Sequence, residues 1–240
     1  MSADYSKEEK LLEILSPNST TTVKEIAARL YVSEATARRY VNALAKSKKV
    51  IRTHGGCMPS AAVFDNNTPM YIRFSSETEE KSRIAQRAAA LVEDGATLFL
   101  DSSSSAYHLI PYLAKKQNLT VVTSGIKTAA HSAQMNIRTV CLGGFVDAHN
   151  LSSNSALAIK QIGLINADIF FFSCDALSDS GELTDNSCEE SILRREFMKY
   201  AKRSILLIDS TKLHKKCRYN LCTLDDIDSF ISSDDIKEDI

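Results

Sequence analysis

Two short runs, Ile169-Phe170-Phe171-Phe172 and Ile205-Leu206-Leu207-Ile208, are apolar at every position. Side chains along a strand alternate between its two faces, so such runs must be buried on both. That is the requirement of a parallel sheet with helices packed above and below it. The flanking sequence supplies those helices in strict alternation. The pattern predicts a helix over Glu77–Val92, a strand over Ala96–Leu100, a polar loop over Asp101–Ser105 and a helix over Ala106–Lys115. Pro111 is expected to kink that helix or mark a late start. A strand (Leu119–Thr123), a helix (Lys127–Met135) and a strand (Arg138–Leu142) ending in Gly143-Gly144 follow. Next come a helix (Asn154–Leu164), a strand (Asp168–Cys174), a helix (Cys188–Ala201), a strand (Ser204–Asp209) and a short strand over Ser229–Ser232. The expected architecture of residues 76–240 is a doubly wound, mostly parallel α/β domain.

The first 57 residues have a different grain. Ser6 with Glu9 forms a capping box ahead of Leu11, Leu12, Ile14 and Leu15, and Pro17-Asn18 stops that helix. Thr22 with Glu25 forms a second box, opening a helix over Val23–Leu30. Tyr31 and Val32 make a short turn, and Ser33 is a fitting N-cap for a third helix from Glu34 to about Ser47. Val50 and Ile51 favour a strand, and Gly55-Gly56 turns the chain. Helix, turn, helix and β-wing in this order predict a winged helix-turn-helix over residues 1–57. Residues 58–75, with Pro59, Asn66, Asn67 and Pro69 and no clean period, read as a linker.

With 240 residues the chain suits a small domain plus a medium one. Its net charge of −1 does not announce a nucleic-acid partner, but the charge is unevenly spread. Between Ser33 and Thr53 stand Arg38, Arg39, Lys46, Lys48, Lys49 and Arg52, with Glu34 as the one acid. Phosphate contacts by such cations dominate DNA affinity, and the second helix of the motif enters the major groove. The candidate DNA-binding residues are Ser33, Ala35, Thr36, Arg38, Arg39, Lys48, Lys49, Arg52 and His54. Arg can pair bidentately with guanine, and a Thr methyl can touch thymine. The bland alternative is a three-helix bundle with solvated basic faces. A capped helix, a short turn, a capped basic helix and a basic wing in sequence favour the DNA reading. A lone helix-turn-helix binds weakly, so a homodimer or higher homo-oligomer on a palindromic double-stranded operator is expected.

No stretch of about 18 apolar residues is present, and Met1–Lys10 is polar and charged. A cytoplasmic protein with no membrane partner is therefore expected. The six cysteines form no C-x-x-C pair and the five histidines no H-x-x-x-H spacing, so neither metal nor cofactor is expected.

In an open α/β sheet, ligands bind beyond the carboxyl ends of the strands. Asp101-Ser102-Ser103-Ser104-Ser105 follows a strand and precedes a helix, where hydroxyls and N–H groups can cradle a phosphate. Asp101 is read as an acceptor for sugar hydroxyls. Lys212, just past the strand ending at Asp209, would supply positive charge. These six residues are the candidate effector site. A serine run can also be an ordinary surface loop, and Asp209-Ser210 can simply cap a turn. Asp175 reads equally as a turn cap or a ligand contact, Gly143-Gly144 as a tight turn, and Glu77 with Lys81 as an ordinary helix pair.

The run Val32-Ser33-Glu34-Ala35-Thr36-Ala37-Arg38-Arg39, followed by Val50-Ile51-Arg52-Thr53-His54-Gly55-Gly56, resembles the winged-helix signature of the DeoR family of bacterial regulators. The family usually has Asp where this chain has Tyr40. The resemblance continues to about Ser233 through Glu77 and Lys81, Leu100-Asp101-Ser102, Thr123-Ser124-Gly125, Leu142-Gly143-Gly144, Glu189-Glu190 with Arg194-Arg195, and Asp209-Ser210-Thr211-Lys212. Family members often carry Gly and Thr in the serine loop, and Lys where Arg194 stands. The likeness implies a sensor domain similar to the ribose-5-phosphate isomerase and CoA-transferase folds. It also implies a transcription regulator, with repression of carbohydrate-metabolism genes under control of a phosphorylated sugar or related metabolite. The alternative is a sugar-phosphate isomerase-like enzyme carrying a DNA-binding head, with Asp101, Asp175 and Lys212 drafted for catalysis. A non-enzyme is the expected outcome.

Overall fold

A computed structural model of the chain describes residues 10–12, 14–15, 20–47, 49–53, 55–59, 70–74 and 77–233. By internal contacts the chain divides into two units, Met1–Ser76 and Glu77–Ile240. The expected Ser6–Glu9 capping box and the Pro17-Asn18 stop lie outside the described residues, as do Lys48 and His54.

The first unit comprises β1 (Thr21–Thr22), α1 (Val23–Leu30), α2 (Glu34–Lys46), β2 (Val50–Thr53), β3 (Gly56–Pro59) and a short α3 (Met70–Arg73). Both predicted caps form. The Thr22 hydroxyl accepts from the Glu25 N–H at 3.2 Å, and the Glu25 carboxylate accepts from the Thr22 N–H at 2.9 Å. Tyr31, left-handed at φ 53°, ends α1. Two residues later the Ser33 hydroxyl accepts from the Thr36 N–H at 3.2 Å and opens α2. The wing is a three-stranded antiparallel sheet in the order β1-β3-β2. Gly55 turns it at φ +88°, and a Cβ on Gly56 would lie 2.2 Å from the Thr21 carbonyl oxygen, so β1 can cross only there over a glycine. Leu11, Leu12, Leu15, Ile26, Leu30, Tyr40, Val41, Leu44 and Val50 share one core. Within the stretch expected as linker, Met58 and Pro59 extend β3, where Met58 pairs with Ile51 and Pro59 closes the strand opposite Val50. A proline at a strand end forfeits no ladder bond.

The second unit runs α4 (Thr78–Ala90), β4 (Thr97–Leu100), α5 (Ser104–Leu113), β5 (Thr120–Thr123), α6 (Ile126–Gln134), β6 (Arg138–Cys141), β7 (Val146–Asp147), β8 (Ser152–Ser153), α7 (Ala156–Ile162), β9 (Ile169–Phe172), β10 (Ala176–Leu177), β11 (Glu182–Asp185), α8 (Cys188–Lys199), β12 (Ser204–Leu207), β13 (Tyr219–Thr223) and β14 (Ser229–Ile231). Six parallel strands stand in the order β14-β12-β9-β4-β5-β6. The chain begins mid-sheet at β4 and winds outward through β5 and β6. It then returns to the other side of β4 with β9. The point of reversal, and hence the crevice such sheets use for ligands, lies between β4 and β9.

The apolar runs serve both faces, as their pattern requires. Phe171, Ile205 and Leu207 pack with Leu98 and Leu100 against Ile84, Ala88, Leu109 and Leu113 of α4 and α5. Phe170, Phe172 and Leu206 pack with Phe99 against Ile162, Leu193 and Phe197 of α7 and α8. Phe197 is the centre of the second face, its ring 4.8 Å from that of Phe99 and 5.0 Å from that of Phe170.

The serine run is not a free loop. α5 starts at Ser104, because Ser103 caps it by accepting from the Ala106 N–H at 3.2 Å. Pro111 falls in the last turn of α5, and the helix ends two residues later. The antiparallel sheet β10-β11-β13 was not foreseen. Its strands are two to five residues long, with buried Ala176, Leu177, Leu183 and Leu221 as their apolar anchors. Phe197→Ala is expected to lower the unfolding free energy by about 3–5 kcal/mol with little change in m-value. A urea titration followed by circular dichroism measures it.

Candidate functional site

The exposed face of α2 carries Glu34, Ala35, Arg38, Arg39 and Lys46, with Ser33 exposed at its start and Thr36 half-buried. The opposite face, Ala37, Tyr40, Val41 and Leu44, is buried. Tyr40 is thus a core residue, 5% exposed, and the Arg39 guanidinium lies 5.5 Å from its ring centroid. Arg38 reaches back to Glu34 at 3.4 Å, one turn earlier. Arg52 is exposed on β2, and Lys49 is half-buried just before it. Ser33, Ala35, Thr36, Arg38, Arg39, Lys49 and Arg52 therefore sit on the capped second helix and its wing.

In the second unit, the carboxyl ends of β4 and β9 meet around one buried cation. Arg194, from α8, donates from Nε to Asp101 Oδ2 at 2.9 Å and from its Nη1 to Asp185 Oδ2 at 2.8 Å. Its Nη2 stands 3.8 Å from Glu190 Oε2. All four side chains are at most 8% exposed. Burial works against the Arg194 charge, but Asp185, Asp101 and Glu190 together hold it firmly protonated. Burial pushes the Asp185 carboxyl above the ordinary carboxylate range, and Arg194 offsets part of that rise.

This network engages both carboxylate oxygens of Asp101. Oδ1 accepts from the Ser103 N–H at 3.0 Å, and Oδ2 accepts from the Ser173 N–H at 3.1 Å as well as from Arg194. Ser102 is also engaged, its hydroxyl donating to Glu190 Oε2 at 2.9 Å, while Ser152 of β8 donates to Glu190 Oε1. Asp101 and Ser102–Ser105 are brought together as one buried cluster. Lys212 is half-buried in a short 3-10 turn, Ser210–Lys212, at the end of β12. Its charge is felt by the Cys174 thiol beyond β9, which burial above all pushes up.

Sequence reasoning passed over Asp185, Glu190 and Ser173, although Glu190 and Arg194 stood in the family-like stretch. Spacing alone cannot tell that a helix residue meets the ends of two strands. Glu77 and Lys81 are not an ordinary exposed helix pair either: Lys81 is 3% exposed and reaches Asp209 at 4.0 Å. Beside it Glu80 accepts from the N–H and hydroxyl of Ser210 and from the Ser233 hydroxyl, at 2.8, 3.0 and 2.9 Å. Asp175 accepts from the Asn186 backbone N–H at 3.0 Å and from its side-chain amide at 3.1 Å, eleven residues on, so its bonds span the β10–β11 hairpin. Two open clefts, about 480 and 340 Å³, lie at the opposite, amino ends of the strands, one beside Asp168 and Lys202 and one beside Asn136 and Arg138. Strand topology puts ligand chemistry at the other edge, and that argument outweighs the size of these clefts.

The family model described as "DeoR-like helix-turn-helix domain" matches residues 7–60, and that described as "DeoR C terminal sensor domain" matches residues 76–234. The chain belongs to the DeoR family. Among its relatives, the HTH-type transcriptional regulator GolR of Listeria innocua is 32% identical across 98% of this chain and 92% of its own. The L-fucose operon activator of Escherichia coli K12 is 26% identical across 95% of each chain. The glycerol-3-phosphate regulon repressor of the same strain is 24% identical across 91% of this chain and 86% of its own.

As a DeoR-family protein the chain is a DNA-binding transcription regulator with a small-molecule sensor domain, not an enzyme. Asp101, one of the three residues drafted for the isomerase alternative, accepts three internal hydrogen bonds. Arg194 in place of the family's usual Lys keeps the charge and adds the fork that bridges Asp101 and Asp185.

Removing Arg194 strands three buried carboxylates. Arg194→Met is expected to cost about 3–5 kcal/mol at pH 7.5. An acid whose folded pKa is raised stabilises the fold fully below its unfolded pKa, and that contribution is lost as pH rises through the folded pKa. Without Arg194 the Asp185 value rises further, so the deficit at pH 5 is expected to be smaller than at pH 7.5. Urea unfolding of both proteins at the two pH values measures this.

Proposed function

We propose that this DeoR-family protein is a cytoplasmic, homo-oligomeric repressor of carbohydrate-metabolism genes, released from its operator by a phosphorylated sugar or a related metabolite. The observation that carries the reading is the capped, basic, outward face of α2, on a chain whose second unit gathers polar groups at the ligand-binding edge of a doubly wound sheet. Ser33, Ala35, Thr36, Arg38 and Arg39 meet base edges and phosphates, and Lys48, Lys49, Arg52 and His54 hold the wing to the backbone. Arg38 exchanges Glu34 for DNA on docking. The relatives' names include both an activator and a repressor. The repressor's name also contains a phosphorylated metabolite, in keeping with that effector class. No helix among the described residues is long and apolar enough to cross a membrane, in keeping with a cytoplasmic site of action.

Within the sensor, Ser102–Ser105 form one wall of the effector site and Lys212 supplies charge from the far side. Asp101 acts by holding the Ser103 N–H and Arg194 in register. A bound effector shifts DNA affinity only through its differential affinity for two protein states.

Replacing Arg38 and Arg39 together by Ala is expected to weaken operator binding by about 1–3 kcal/mol for each base interaction removed. It should also lower the slope of log affinity against log salt by about 1 for each phosphate no longer engaged. Gel-shift titrations at several salt concentrations read both. Unchanged affinity and slope would remove α2 as the reading helix.

Lys212→Ala is expected to abolish the change in operator affinity that a sugar phosphate produces. It should weaken phosphorylated ligands more than their unphosphorylated counterparts. Calorimetric binding of a sugar-phosphate panel, paired with operator release, measures this. A variant that responds like the parent would exclude Lys212 from the effector site.

A further inference from the structure

Two helices of the sensor begin side by side. β4 and β5 pair in parallel up to Leu100 and Thr123, α5 starts just past the first and α6 just past the second. Their open N–H groups and positive dipole ends therefore share one edge. The two starts are in close contact: a Cβ on Gly125 would lie 3.0 Å from the Ser102 Cα and 3.0 Å from Thr128 Oγ1. Glycine is what permits that approach. The starts differ in one respect. α5 is capped by Ser103, whereas α6, nine residues long, has Gly125 at its N-cap and no side-chain cap.

Beside that uncapped start stand two hydroxyls, Ser124 Oγ and Thr128 Oγ1, that have no hydrogen-bond partner although the residues are 0% and 1% exposed. Buried hydroxyls are ordinarily satisfied, and leaving one unmet is unfavourable. Thr128 is the third residue of α6, so its hydroxyl lies over the first turn, where the Gly125 N–H donates to Thr123 Oγ1 at 3.0 Å and the Ile126 N–H to the Leu151 carbonyl oxygen at 2.9 Å. Hydroxyl donors at the positive end of a helix match an oxyanion.

We propose that the Ser124 and Thr128 hydroxyls at the uncapped amino terminus of α6, with the Ser103–Ser105 start of α5 beside them, form an oxyanion seat for the phosphoryl group of the effector. The inference rests on the reading of this unit as a sensor of phosphorylated metabolites and gives that reading its anion-binding residues.

The test is thermal unfolding of the full chain in rising inorganic phosphate, against sodium chloride at matched ionic strength. Parallel arms use glucose 6-phosphate and glucose. Phosphate at about five times its dissociation constant is expected to raise Tm by about 2–4 °C, while chloride and glucose do not. Thr128→Val and Ser124→Ala are expected to lose the rise. Thr128→Val keeps the side-chain shape and removes an unmet hydroxyl, so it should melt at or above the parent in chloride, and misfolding cannot mimic the loss. Protection by glucose 6-phosphate at lower concentration than by phosphate identifies a phosphorylated sugar as the source, and equal concentrations identify free phosphate. A rise retained in both variants, no rise in the parent, or equal protection by glucose overturns the seat. A parent that gains the rise yet holds operator DNA equally with and without glucose 6-phosphate supports the seat and counts against the regulatory reading.

Discussion

The Arg194 guanidinium is the interaction on which the sensor unit depends. One planar group from α8 ties the end of β4, through Asp101, to β11, through Asp185, and stands beside Glu190 one turn back on its own helix. Asp101 in turn fixes the Ser173 N–H at the end of β9 and the Ser103 N–H at the start of α5. The crevice between β4 and β9 is thus closed by a salt-linked knot of which every member is buried. A buried ion pair of this kind adds little net stability over an apolar replacement, but breaking one side of it is severe. Its effect here is positional. It sets where the serine run begins its helix, and so which hydroxyls remain for a ligand.

The architecture was legible because its determinants are local. Ile169–Phe172 and Ile205–Ile208 demanded a two-sided parallel sheet, and Thr22 and Ser33 marked two helix starts within one residue. Where prediction slipped, the cause was tertiary. Asp101 to Ser105 reads as a polar loop when viewed alone. Asp101 and Ser102 are consumed by Arg194, Ser173 and Glu190, residues about 70–90 positions downstream that no spacing rule connects to them. Ser124 and Thr128 were overlooked for the converse reason. A lone Ser and Thr at a strand-to-helix junction carry no signal until the structure leaves them buried and unmet. The sheet β10-β11-β13 escaped notice because strands of two to five residues fall below what periodicity resolves.

The two units divide the chemistry. α2 and the wing present cations to a polyanion, and burial of Tyr40 in their core leaves the outward face to Arg38, Arg39 and Lys46. The sensor unit instead turns helix amino termini toward its ligand edge. On the proposed reading, negative charge is met at the head by exposed side chains and in the sensor by helix dipoles and hydroxyls. Such a preorganised site loses little side-chain entropy when a small anion binds, so more of the binding free energy is left to shift the protein between states.

The central claim is that effector recognition occurs at the joined starts of α5 and α6. Amide hydrogen exchange of the full chain, with and without a saturating sugar phosphate, tests it most directly. The account predicts slowed exchange at residues 102–106 and 124–129, the two first turns, at the carboxyl edge of β4 and β5. Slowed exchange confined to residues 91–96 and 202–203, at the opposite edge of the sheet, would contradict it.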